Sequence, residues 1–169
     1  MDTKPDTIKI TAFQREEIFA SHANLHVTVK GSSVVSGNEA LKKAKEVSQL
    51  VEALTSFGLS PEAIQLLGVH IETASGMLLK SSSATYRLRI KVEKLEQLAE
   101  LLDIIASQKN ATLEHIEWKY PEEVARERAL ESAIARGKAK AGKVAGAMGV
   151  KLLGVYDFIE NTFDEERPP

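Results

Sequence analysis

The chain contains no cysteine, which excludes thiol nucleophiles, thiolate metal sites and disulfides. Aromatic residues make up only 5%, so the 43% hydrophobic content must fill a core mainly with aliphatic side chains. Neither sign of charge dominates. The 22 basic and 24 acidic residues leave a net charge of −2, far from the basic surplus that non-specific nucleic-acid binding needs. No apolar run approaches the ~20 residues of a membrane helix. The opening Met1-Asp2-Thr3-Lys4-Pro5-Asp6 has no apolar stretch of signal-peptide type. The expected location is therefore cytoplasmic as written, or periplasmic if a leader has been removed. The 169 residues suit one domain, which at this size buries roughly 70% of the surface its unfolded chain exposes.

Hydrophobic periodicity orders the chain as follows. Thr7 to Phe13 alternates as a short strand, with Ile8, Ile10 and Ala12 on one side. Gln14 to Ala20 reads as a connection. Ser21 to Lys30 is a half-buried strand, with Leu25, Val27 and Val29 against Asn24, His26 and Thr28. A helix is expected from Glu39 to Phe57, stopped by Gly58, with a proline-led turn at Ser60-Pro61-Glu62. Gln65 to Thr73 follows as a strand with Leu67, Val69 and Ile71 inward. Ala84 to Val92 has the cleanest alternation: Ala84, Tyr86, Leu88, Ile90 and Val92 against Thr85, Arg87, Arg89 and Lys91. One wet face favours an antiparallel sheet. Glu93 to Gln108 is a helix with Asn110 near its end. Leu113 to Tyr120 is a strand with Ile116 and Trp118 in the core. A long helix runs from Pro121 to about Met148, closed by Gly149, and Lys151 to Glu160 is a last strand. The expectation is an α+β fold of order ββαββαβαβ, a largely antiparallel sheet with helices on one face. It forms a single domain over residues 7–160, with a disordered acidic tail over 161–169.

The long helix is the most informative segment. Small residues recur every fourth position at Ala125, Ala129, Ala133, Gly137, Ala141, Ala145 and Gly149, forming a ridge that lets another backbone approach. Gly137, Gly142 and Gly146 lie inside the helix, where each costs up to about 1 kcal/mol against alanine. Close packing is the expected compensation, first against the chain's own sheet and second against a neighbouring subunit. Gly142 to Gly146 fits GxxxG, but Arg136, Lys138, Lys140 and Lys143 exclude a membrane-buried reading.

Three segments together carry a resemblance to a known family. They are Leu54 to Gln65 (LTSFGLSPEAIQ), the strand-helix junction Tyr86 to Leu95, and the Ala-rich run Ala129 to Ala141 followed by Ala145 to Gly149. In order and spacing, over roughly Ile8 to Glu160, the chain resembles the SIMPL-domain family, which includes exported bacterial proteins. The usual Pro-Asp before the second strand is Ser21-His22-Ala23 here, and the usual export leader is not seen. The resemblance implies an α+β fold, a tendency to homo-oligomers and envelope, stress or signalling contexts. It implies no catalytic residues.

The remaining chemistry is sparse. The histidines are His22, His26, His70 and His115. His26 and His70 fall on polar strand faces, so a metal or proton site would need their strands to be neighbours. His22 and His26 on one strand are ~13 Å apart, too far for one ion. No phosphate-cradling glycine loop and no nucleophile elbow occurs. No catalytic, cofactor-binding or metal-ligating residue is assigned. Met77, Leu78 and Leu79 form an apolar patch in a Gly/Ser-bounded loop, suited either to folding back or to a partner contact. The expected function is a non-enzymatic, self-assembling interaction domain. Its assembly and packing residues are Met77, Leu78, Leu79, Arg87, Arg89, Ala133, Gly137, Ala141 and Ala145, with no nucleic-acid partner, no membrane span and no cofactor. The rival is a small-ligand or metal binder, or a hydrolase, using the polar sheet face.

Overall fold

A computed structural model describes residues 7–33, 39–75 and 80–163. The chain divides into two compact units, Ala20–Tyr120 and the pairing of Met1–Phe19 with Pro121–Pro169.

The first unit holds the sheet. Its elements are β1 (His22–Ser33), α1 (Glu39–Phe57), β2 (Ile64–Ser75), β3 (Lys80–Val92), α2 (Leu98–Ser107) and β4 (Ala111–Lys119). The strands lie in the order β2-β3-β1-β4, and every neighbouring pair is antiparallel. This βαββαβ order is the split-βαβ, ferredoxin-like arrangement. Each helix crosses over one intervening strand, and right-handed crossovers bring both helices to one face.

The sequence explains the boundaries. Gly58 takes φ +114°, which a Cβ would disfavour, and ends α1. Pro61 opens a single 3-10 turn over Pro61–Ala63. Asn110 turns into β4 at φ 63°, a conformation its short amide side chain tolerates. It also donates to Glu46 at 3.0 Å, and Lys43, itself nearly buried, grips the same carboxylate at 2.9 Å. Burial raises the Glu46 pKa, but the hydrogen bonds from Lys43 and Asn110 outweigh it and leave the carboxyl below its ordinary value.

The core is aliphatic throughout. Leu25, Val27 and Val29 of β1 and Leu88, Ile90 and Val92 of β3 pack under Leu50 and Leu54 of α1 and Leu101 and Ile105 of α2. Ile116 packs beside them, whereas Trp118, expected inside, is 43% exposed on the edge strand β4. A second expectation is corrected in β2. The register passes from Leu66↔Leu88 to Gly68↔Arg87, so Leu67 is the extra residue of a bulge. It lines the polar face with Arg87, and Leu66, Val69 and Ile71 share the core face instead.

The second unit is built on α3 (Glu122–Ala147), ended by Gly149 at φ 69°. Residues 7–20 alternate strictly between exposed and half-buried, the period of an extended chain. The alternation continues through 14–20, expected to be a mere connection. Within this unit the segment is tied to α3: Arg136 donates to the Phe13 carbonyl oxygen and Arg128 pairs with Glu16 at 3.1 Å. Arg126 pairs with Glu160 at 3.1 Å. Residues 7–13 and 151–160, expected as strands, belong to no sheet among the described residues. A period of two makes a segment extended, but a ladder also needs a strand beside it. Residues 164–169 of the expected tail lie outside the described residues.

Candidate functional site: the polar face of the sheet

The face of the sheet opposite α1 and α2 collects the chemistry. Register fixes its rows. One crosses all four strands as Gln65, Arg89, His26 and His115. The next runs through Gly68, Arg87, Thr28 and Thr112. Between the two rows lies an open groove of about 400 Å³, lined by His26, Thr28, Leu67, Arg87, Glu114 and His115 with backbone-proximal Val27 and Leu88.

Each polar group has an assignable state. The His26 and His115 rings stack with centroids 4.2 Å apart and planes 9° from parallel. His26 Nε2 lies 3.7 Å from a Glu117 carboxylate oxygen. Arg89 donates to the neutral Gln65 Oε1 at 2.6 Å. Arg87 is exposed and makes no hydrogen bond or ion pair among the described residues. A β-bulge between His26 and Val27 inserts Glu114 into β4, where its carboxylate accepts from Thr28 at 2.6 Å and Lys30 at 3.2 Å. These donors, with the Lys30 charge, hold the Glu114 carboxyl below its ordinary pKa.

Glu117 is the most strongly perturbed group. Asn24 donates to it at 3.0 Å and Lys119 at 2.5 Å, and these hydrogen bonds bring its carboxyl from 4.5 down to about 2. The folded value lies below the unfolded one. The stabilisation is therefore present above pH 4.5 and is lost as pH falls toward 2. Replacing Asn24 by Ala removes the leading donor. Carbon-13 NMR should then show the Glu117 titration moving up from about 2 toward 4.5. A midpoint unchanged by the substitution would assign the whole effect to Lys119.

The sequence-derived residues fall in separate places. Arg87 and Arg89 lie on this face together. Ala133, Gly137 and Ala141 are half-buried and Ala145 is buried, all on one line of α3. Among the described residues, a methyl group on Gly137 would meet that of Ala12 at 3.7 Å, ordinary contact, and one on Gly142 or Gly146 would meet nothing within 4 Å. Met77, Leu78 and Leu79 lie outside the described residues. His70 sits opposite Thr85 on the edge strand and binds Glu72 at 2.9 Å, and β3 separates its strand from that of His26. The real neighbour of His26 is His115, which no local pattern marks, because strand order decides it. Among the described residues no group of three or more His, Asp or Glu is placed to hold a metal ion.

No helix among the described residues is long and apolar enough to cross a membrane. No curated protein matches the chain. The family model of SIMPL, described as a protein of unknown function (DUF541), matches residues 8–169. With nearly the whole length matched, the chain belongs to the SIMPL family.

Proposed function

We propose that the chain is a non-enzymatic interaction domain that assembles with copies of itself. One observation carries this reading. Residues 150–163 carry a run of exposed apolar side chains: Leu153 is 100% exposed, Tyr156 78% and Ile159 76%. No backbone–backbone hydrogen bond joins residues 151–163 to any other described residue. Exposed apolar side chains on a backbone without partners are the ingredients of strand addition.

An acceptor exists on the same chain. β2 is an edge strand whose Leu66, Val69 and Ile71 are 56%, 44% and 54% exposed. Between Ile64 and Ser75 it carries no lysine or proline, the residues that usually blunt an edge. From Gly68 onward its pairing to β3 is regular. A second copy supplies the missing partner on both counts. The open faces of Gly142 and Gly146 fit the same reading. Two glycines inside a helix cost up to about 1 kcal/mol each against alanine, and a neighbouring subunit is a natural source of compensation.

Amide hydrogen exchange on the intact protein tests this reading. Residues 151–160 should be protected at high protein concentration and lose protection on dilution. Exchange at the unstructured rate at every concentration would refute the proposal.

A further inference from the structure

The polar groove of the sheet carries two cationic groups with no carboxylate partner. Arg89 is bound to a neutral amide, and Arg87 has no partner among the described residues. The nearby acids are already occupied. Glu114 is held by Thr28 and Lys30, and Glu117 by Asn24 and Lys119. The stacked His26 and His115 rings line the same groove and bring ring N–H groups to it. Gly68 lies opposite Arg87, and a Cβ there would stand 3.7 Å from its Nη2, so the strand beside the guanidinium is bare backbone. Leu67, turned to this face by the β2 bulge, gives the groove one apolar wall. The volume of about 400 Å³ lies within the usual range for small-molecule sites.

We propose that this groove binds an oxyanion, a phosphate or carboxylate group carried on a small molecule. Arg87 is the fork that grips it, and His26 and His115 supply ring N–H donors beside it. A guanidinium matches either group with two parallel hydrogen bonds, which a lysine could not do. The charged groups facing the histidine pair are Arg87, Arg89 and Lys91 from β3, Glu114, Glu117 and Lys119 from β4, and Lys30 from β1.

Calorimetric titration of the full chain with pyrophosphate and, separately, with citrate tests the proposal and separates phosphate from carboxylate. Binding of either supports it, provided that Arg87→Gln weakens that affinity at least about tenfold, as loss of one bidentate ionic contact predicts. Lys45→Gln, on the exposed side of α1, should leave it unchanged. Imidazole NMR shifts of His26 and His115 in the unsubstituted protein give a readout independent of any variant. If neither anion at about 10 mM moves those resonances, or if Arg87→Gln leaves affinity unchanged, the groove is not an anion site. The groove residues all lie within the sheet of a single copy.

Discussion

Leu54→Ala should destabilise the protein by about 3–4 kcal/mol, the loss expected when a fully buried leucine is truncated. Leu54 is fully buried where α1 meets β1 and β3. The substitution removes three carbons and leaves a cavity in the cluster that Leu54 shares with Leu25, Leu50, Leu88 and Ile90, whose helix and strand backbones cannot close it fully. In urea the midpoint should fall by about 1–2 M at unchanged slope. Val124→Ala on α3, where the side chain is 56% exposed, should stay within about 0.5 kcal/mol. Both must be compared at one protein concentration, because assembly adds to apparent stability. A loss below about 1 kcal/mol for Leu54→Ala would place the core elsewhere.

Local pattern and tertiary partner divide what the sequence discloses. The C-terminal end of α1 was legible because Gly58 acts through its own backbone, and α1 runs from Glu39 to Phe57 as periodicity predicts. The alternation in β3 reads directly into the core face of the sheet, since side-chain direction on a strand depends only on parity. Parity fails where a bulge intervenes. Leu67 reads as an inward residue, and the extra position in β2 turns it to the polar face. The site was half visible. Arg87, Arg89 and His26 follow from alternation, but His115 joins them only because β4 lies beside β1. The seat of α3 was the least legible feature. The row of small residues is the least exposed line of the helix, yet the sequence alone cannot say what meets it. Within its own unit the recorded partners are the segments ending at Phe19 and beginning at Val150, not strands.

Those terminal segments support the second large expectation. They read as strands, with Ile8, Ile10 and Ala12 alternating at one end and Leu152, Val155 and Phe158 spaced along the other. Yet they form no ladder among the described residues. Monomers rarely leave so many large apolar groups in water within 14 residues. Leu153→Asp with Phe158→Asp puts two charges into the segment, at side chains 100% and 59% exposed. An exposed site tolerates such charges at little cost in the single chain. A buried interface does not, because an unpaired charge there must be stripped of water. The pair should therefore dissociate the assembly while leaving the helical and sheet content intact.

Light scattering on the eluting protein measures this directly. The unsubstituted chain should show a native mass of two or more whole multiples of 18.5 kDa, and the doubly substituted chain should fall to 18.5 kDa itself. A mass of 18.5 kDa for the unsubstituted chain at about 100 μM, far above the dissociation constant of a stable assembly, would contradict the account.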